Sequence, residues 1–135
     1  MTAFSAVSCA ANCPPRRFTR MNTPLAFLNI MAGSPGHTLV IAKPHRENIY
    51  TLEDELAEAV MRTTTRVAKA VRQAAGCEGV TLFQANEVAG GQTVFHFHLH
   101  VLPRTPGDSL PGVWPATAPT RTEMDEMAER LRAAL

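Results

Sequence analysis

Apolar residues are arranged along the chain in short runs that fit strands. Residues 25–30, 37–42 and 79–85 are rich in Val, Leu, Ile and Phe, and turn-forming residues bound each run, which predicts three strands. Glycine, serine and proline in residues 32–36 predict that the first two strands form a hairpin with a wide loop. The first 24 residues are irregular in composition, and we predict one short turn of helix and an edge strand within them.

Two other stretches have apolar residues at helical spacing. The first predicts a long helix over residues 52–75, with Thr51 as N-cap and Gly76 as the residue that ends it. Its apolar stripe consists of Leu56, Val60, Val67, Val71 and Ala74. A last helix is predicted to begin at Thr122. Its apolar side consists of Met124, Met127, Ala128 and Leu131.

Residues 92–104 alternate between histidine and apolar side chains, and a period of two predicts a strand. On such a strand one face carries Val94, His96, His98, His100 and Leu102. The opposite face carries Thr93, Phe95, Phe97, Leu99 and Val101. We expect the aromatic and branched face to pack on a core and the imidazoles to project from the other side. The strand over residues 79–85 is expected to pair with it antiparallel, through a turn at residues 86–91.

Three histidines on one strand face leave several kinds of chemistry open. Neighbouring imidazoles lie about 6.6 Å apart on a strand. A metal ion at about 2.0 Å from each nitrogen therefore cannot bind all three unless the strand bends, although two of them with further ligands could hold zinc. A histidine-rich strand without chemistry is the remaining alternative. Unused titratable groups cost solvation, and imidazole can act as nucleophile, base or acid near neutral pH, which favours a reactive site.

Length, charge and cysteine content narrow the class of protein. The chain has 135 residues, 45% of them hydrophobic and 19% charged, which predicts one globular domain. A net charge of +1 gives no broad attraction to nucleic acid or to a membrane surface. The first residues lack the pattern of a signal peptide, and no apolar run reaches membrane-spanning length. Cys9, Cys13 and Cys77 form no disulfide framework, so we expect the reducing cytoplasm.

The order Gln-Thr-Val-x-His-x-His-x-His-Val-Leu at residues 92–102 resembles the signature of the histidine triad (HIT) family. Gly91 and Pro103-Arg104 also match it, and residues 25–48 contain segments similar to those of the family. The resemblance covers residues 4–106, which we expect to form a HIT domain. Residues 107–135 are expected to be a proline-rich tail and a helix packed on the same domain.

The predicted elements and the resemblance together imply an α+β fold. We expect a HIT-like antiparallel sheet of about five strands, one long helix packed on it and a C-terminal helix. Residues 100–108 and Trp114 look closer to the fragile-histidine-triad and diadenosine-polyphosphate branch. In that branch Arg104 and Trp114 are expected near the distal phosphate or base.

The resemblance implies a catalytic role for four side chains. His98 is expected to attack the α-phosphorus of a nucleotide, with its other ring nitrogen donating to the backbone carbonyl of His96. His100 is expected to donate to phosphate oxygens and His96 to organise the strand. Gln92 is expected at the leaving group or bridging oxygen. The implied activity is a nucleotidyl hydrolase or transferase that cleaves nucleoside phosphoramidates or dinucleoside polyphosphates.

The resemblance also implies a nucleotide-binding set. It comprises Phe27, Asn29, Ile30, Asn86, Gly91, Gln92, Thr93, His98 and His100. Phe27 and Ile30 are candidates for the base pocket, whereas Asn86, Gly91 and Thr93 are candidates for phosphate contacts. Asn29 stands where the family usually has an aspartate that reaches the ribose, and Glu87 stands where glycine is common. These two departures favour an alternative, a nucleotide-binding or partner-binding module with little turnover.

The expected partners are a purine nucleotide and a second copy of the chain, joined by sheet extension; neither nucleic acid nor a membrane is expected. No cofactor is expected. Some bacterial members carry a structural zinc held by two cysteines and two histidines, which would be Cys9, Cys13, His45 and His96. The cysteine spacing here disfavours that site, because three residues separate Cys9 from Cys13 and the pair falls several positions late.

Overall fold

A computed structural model describes residues 24–108 and 117–135, which contain four strands and two helices. In chain order these are β1 (Pro24–Leu28), β2 (Thr38–Ala42), α1 (Asp54–Ala75), β3 (Gly79–Phe83), β4 (His98–Arg104) and α2 (Arg121–Ala134). Short 3-10 turns occupy Ile49–Thr51 and Val88–Gly90. In the described part of the chain, no helix combines the length and the apolar character needed to cross a bilayer.

The strands form one antiparallel sheet in the order β1-β2-β4-β3. The predicted α+β class is confirmed, and so is the antiparallel pairing of the third strand with the histidine strand. The described residues contribute four strands rather than about five. The turn of helix and the edge strand predicted within the first 24 residues lie outside the described residues, except for Pro24, which begins β1.

Both helices pack on one face of the sheet. The large core on that face includes Val40, Val60, Val67, Val71, Val101, Met127 and Leu131. A smaller cluster on the opposite face consists of Leu25, Phe27, Leu39 and Ile41. Because side chains alternate along each strand, the second cluster shares its face with His98 and His100.

The long helix begins later than predicted. Asn48 and Thr51 form a capping box around the 3-10 turn, so Thr51 is not the cap of α1, and α1 begins at Asp54 after Glu53. The predicted end is confirmed, because Gly76 has a φ of 63° and its N–H bonds the last turn. The last helix begins at Arg121 rather than Thr122.

In α2 the Thr120 side chain accepts from the Glu123 N–H, and the Glu123 carboxylate bonds the N–H of Thr120. The predicted apolar side of this helix is confirmed. Met124, Met127, Ala128 and Leu131 are buried, in the same core as α1. The C-terminal helix is therefore part of the same packed unit as the sheet.

The prediction of one continuous histidine strand is wrong for residues 92–97, because β4 begins only at His98. Its neighbour β2 ends at Ala42, which is followed by Lys43 and Pro44, and proline has no N–H to continue a ladder. Residues 92–97 bond the chain beyond β2 instead. The Phe97 N–H donates to the Arg46 carbonyl oxygen at 2.6 Å.

Gly36 is required by the turn that leads into β2. Its φ is +89°, and a Cβ there would lie 3.4 Å from the Cβ of Ala75 and 3.4 Å from the Cγ of Pro103. We expect Gly36→Ala to lower the free energy of unfolding by roughly 1–3 kcal/mol, measured by urea denaturation. Gly90→Ala is the control, because Gly90 lies outside the left-handed region and has open space around it. Equal losses for the two variants would contradict this account.

Candidate active site

His98 and His100 lie side by side on the sheet face opposite the helices. Leu99 and Val101, which alternate with them, are buried in the helix-side core. His98 pairs with Ile41 of β2, and His100 pairs with Phe83 of β3. The ring centroids of the two histidines are 5.0 Å apart. The predicted division between an apolar face and an imidazole face is therefore correct for the residues within β4.

The tautomer of His98 is fixed by one backbone contact. Its Nδ1 lies 2.7 Å from the carbonyl oxygen of His96. A carbonyl oxygen can only accept, so Nδ1 carries the proton, and in the neutral ring the lone pair is on Nε2. This is the arrangement that the sequence predicted. It leaves a half-buried imidazole with a nucleophilic nitrogen.

His96 supports this contact through its backbone and lies off the strand. Its side chain is 7% exposed, and its Nε2 donates to the Ala42 carbonyl oxygen at 2.7 Å. Its Nδ1 therefore accepts, and the Nδ1 of His45 lies 3.1 Å from it. Burial lowers the pKa of His96, the hydrogen bond to the Ala42 carbonyl oxygen raises it by less, and His45 and His98 lower it further. A neutral ring anchored at Ala42 thus holds the carbonyl that orients His98.

His37 is a fourth histidine in the site, and it is bonded directly to His100. Its Nε2 lies 2.8 Å from the Nδ1 of His100. The Gly33 N–H donates to the Nδ1 of His37 at 2.9 Å, so that nitrogen is an acceptor. The His37 Nε2–H must then donate to His100. The remaining ring nitrogen of His100, Nε2, carries a proton and can donate to a ligand.

Both members of this pair are neutral at physiological pH. Burial lowers the pKa of His37 to about 4, with a smaller contribution from His98. Burial also lowers the pKa of His100 to about 3, followed by the effects of His98 and His37. His37 is 1% exposed. The pair therefore acts as a hydrogen-bond donor of fixed orientation rather than as a cationic anion trap.

Sequence reasoning did not identify His37 as a site residue. Its signal was present, since His37, Leu39 and Ile41 follow the same period of two. However, β2 and β4 are distant in sequence, and only their pairing, with Leu39 opposite His100, makes the signal meaningful.

The amide of Gln92 is occupied by the loop that precedes β4. Its Oε1 accepts from the Glu87 N–H at 2.8 Å, and its Nε2 donates to the carbonyl oxygens of Glu47 at 2.6 Å and Val94 at 3.0 Å. The side chain is 4% exposed. Gln92 thus orders the loop in this structure, and its contact with a leaving group stays a prediction.

The side chains of Asn86 and Glu87 bond the same loop to residues 48 and 49. The Asn86 Oδ1 accepts from the Ile49 N–H at 2.8 Å, and the Glu87 carboxylate accepts from the Asn48 amide at 2.6 Å. Glu87 has φ 61° and ψ 166°, a conformation that is nearly exclusive to glycine. Gly91 also has a positive φ, of 88°.

The other predicted nucleotide-binding residues do not all share the site face. Phe27 lies on that face, in the cluster with Leu39. Ile30 instead packs against the helix-side core. Thr93 is exposed and lies outside β4, so strand alternation does not fix where its side chain points. Asn29 is half-buried, and its Oδ1 accepts from the Met31 N–H at 3.1 Å.

Arg104 closes the far end of β4 on the site face. Its Nε donates to the Asp108 carboxylate at 2.9 Å, and its Nη1 donates to the Thr81 hydroxyl at 3.0 Å. The guanidinium is therefore held by the turn that follows β4, and its predicted contact with a distal phosphate stays a prediction. Trp114 lies outside the described residues.

The zinc site that the resemblance raises is only half visible. His45 and His96 are adjacent, but Cys9 and Cys13 lie outside the described residues. Among residues 24–108 and 117–135, no group of three or more His, Cys, Asp or Glu side chains could hold a metal ion.

The lowered pKa values of His37 and His100 make stability depend on pH. Below pH 6.5 the unfolded chain binds protons that the folded chain excludes, so stability is complete above 6.5 and falls as the pH drops towards 4 and then 3. We expect the melting temperature to decline across this range. The double variant His37→Gln/His100→Gln should decline less steeply. Parallel curves for the two proteins would show that the buried pair does not cause the loss.

Comparison with known proteins shows the family of the chain. The family model of the HIT domain matches residues 11–107 of this chain. Protein hit of Bacillus subtilis is 37% identical over 117 residues, covering 78% of this chain and 81% of that protein. Adenosine 5'-monophosphoramidase hnt1 of Schizosaccharomyces pombe is 31% identical over 112 residues, covering 82% and 81%. A Zn-bound histidine triad family protein from Mycobacterium smegmatis superposes with a TM-score of 0.80 at 32% identity, covering 97% and 90%. The chain belongs to the HIT family.

Proposed function

We propose that the protein is a nucleotidyl hydrolase or transferase that works through a covalent intermediate on His98. The observation that carries this proposal is the 2.7 Å contact between the Nδ1 of His98 and the His96 carbonyl oxygen. In the neutral ring this contact leaves the lone pair on the Nε2 of His98, on the same sheet face as the Nε2–H of His100. A nucleophile and a donor of opposite hydrogen-bonding character thus stand on one sheet face.

In the first step the Nε2 of His98 attacks the α-phosphorus of the substrate. The bond from phosphorus to the leaving nitrogen or oxygen breaks, and the leaving group keeps the electron pair and takes a proton from water. The His100 Nε2–H donates to a phosphate oxygen. In the second step water adds to phosphorus, releases its proton to solvent and displaces neutral His98; inorganic phosphate is the alternative acceptor. The chain supplies both nucleophile and donor, so group transfer needs no cofactor.

We propose nucleoside phosphoramidates as the first substrate class to test, because a relative of 31% identity is named as an adenosine 5'-monophosphoramidase. Dinucleoside polyphosphates are the second class, from the sequence of residues 100–108. We propose a purine as the base, and Phe27, which lies on the same sheet face as His98, as a residue of its pocket. The proposed compartment is the reducing cytoplasm, where Cys77 would remain the buried free thiol that it is here.

We expect His98→Ala to lower the turnover of an adenosine phosphoramidate by at least about 10³-fold, because no second nucleophile replaces the imidazole. Binding of AMP should remain within a few-fold of wild type. The measurement is amine release together with calorimetric binding, and a nucleotidyl adduct on His98 should be visible by mass spectrometry in wild type alone. Lys69→Ala, on the exposed side of α1, is the control. Unchanged turnover in His98→Ala would rule out this assignment.

The alternative is a binding module with little turnover, favoured by Asn29 and by the strained Glu87. The same assay separates the two functions. AMP binding without amine release in wild type, over a panel of phosphoramidates and dinucleoside polyphosphates, would support the binding module.

We also propose a homodimer joined through β3, the strand at one end of the sheet order. Leu82 of β3 is 46% exposed, which is high for a leucine on a strand. Wild type should sediment as a dimer at micromolar concentration, and Leu82→Lys should shift it to monomer. Met31→Lys is the matched control, because Met31 is 63% exposed and lies outside the strands. A monomeric wild type, or a dimeric Leu82→Lys, would contradict this interface.

A further inference from the structure

We propose that Asn29 is a positioning residue of the histidine pair His37–His100, and that it acts by donating its amide N–H to His37. This inference rests on the proposed function only in its kinetic test, because the pair itself is visible in the structure. The residue stands where the resemblance implies a group for the ribose. Its contacts here point to a different role.

The orientation of the Asn29 amide is determined by a neighbour that can only donate. The Met31 N–H lies 3.1 Å from one end of the amide, so that end must be the oxygen. The nitrogen end is then the one that faces the Nδ1 of His37, at 3.5 Å. Asn29 thus presents N–H, rather than a lone pair, to the buried ring.

Two donors therefore converge on the Nδ1 of His37. The Gly33 N–H is the closer, at 2.9 Å, and the Asn29 amide is the second. Together they hold Nδ1 as an acceptor, place the proton of His37 on Nε2, and pass the same polarity to His100 across the 2.8 Å bond. The Nε2–H that His100 presents on the site face is therefore the last donor in a series of hydrogen bonds that begins at Asn29.

An aspartate at position 29 would reverse the first link. A carboxylate only accepts, so it would set its lone pairs against the lone pair of the His37 Nδ1. The repulsion is relieved when Nδ1 binds a proton and His37 becomes a cation. The amide therefore keeps the pair neutral, whereas the carboxylate would favour its protonation.

Other charged groups around the pair are the same in the wild type and in the variants. His98 faces the pair from β4. From α2, three charged side chains line a cavity of about 370 Å³ that Asn29 and His37 also line; they are Glu123, Glu126 and Arg130. Glu123 is already bonded to the Thr120 N–H at 2.7 Å. Comparison of variants at position 29 alone therefore isolates the effect of its amide.

The kinetic test is the pH dependence of kcat/KM for an adenosine phosphoramidate in wild type, Asn29→Asp and Asn29→Ala. We expect the acid limb of Asn29→Asp to move to higher pH by about one unit or more, which is about a tenfold loss on that limb. Asn29→Ala should move the limb in the same direction but by less, because it removes one of the two donors to the unprotonated Nδ1 of His37 and leaves the Gly33 N–H in place. If Asn29→Ala leaves the limb where it lies in the wild type, the proposal is overturned. A KM raised for a ribonucleotide but not for its 2'-deoxy analogue would then assign Asn29 to the ribose.

A second test needs neither turnover nor a variant that folds. Nitrogen-15 spectra of the wild-type imidazoles should show the proton of both His37 and His100 on Nε2. A proton on the Nδ1 of His37 would overturn the proposal. Because this reading is independent of catalysis, a protein that binds nucleotide without turnover would refute the proposed function and leave this inference testable.

Discussion

The pairing of β2 with β4 is the constraint on which the site depends. These strands are far apart in sequence, and their register sets Leu39 opposite His100 and Ile41 opposite His98. A slip of one residue would turn both imidazoles into the helix-side core and expose Leu99 and Val101. Because Val101 is fully buried beneath the helices, the core itself enforces the register. Packing on one face of the sheet therefore positions the chemistry on the other.

The candidate site is built from imidazoles whose hydrogen-bonding polarity is set by the backbone. The carbonyl oxygens of Ala42 and His96 accept hydrogen bonds from the rings of His96 and His98, and the Gly33 N–H donates to the Nδ1 of His37. Each of these contacts decides which ring nitrogen carries hydrogen. Burial makes the neutral form of His37, His96 and His100 the stable one, although the hydrogen bond to the Ala42 carbonyl oxygen acts in the opposite direction on the pKa of His96. With the His98 ring neutral, the result is one nucleophilic nitrogen and one hydrogen-bond donor on the same sheet face.

Much of this could be predicted from the sequence, because local patterns controlled it. The end of α1 at Gly76, the apolar side of α2 and the alternation within β4 follow from spacing and backbone preference. The two errors have different causes. Residues 92–97 leave the strand because β2, a partner distant in the chain, stops beside them, and periodicity carries no information about that. Thr51 is not the cap of α1 because it is the third residue of a short 3-10 turn that Asn48 caps, a local capping box that precedes the helix.

Glu87 has a consequence for how this loop behaves as a unit. A non-glycine residue at φ 61° and ψ 166° costs on the order of 1–3 kcal/mol, and contacts with Asn48 and Gln92 hold it there. The backbone at Glu87 is therefore strained, and loss of either contact would let it relax. Such a release would be local, since the sheet keeps its own ladder intact. The conformation of residues 86–92 therefore depends on side-chain contacts with Asn48 and Gln92 rather than on the hydrogen bonds of the sheet.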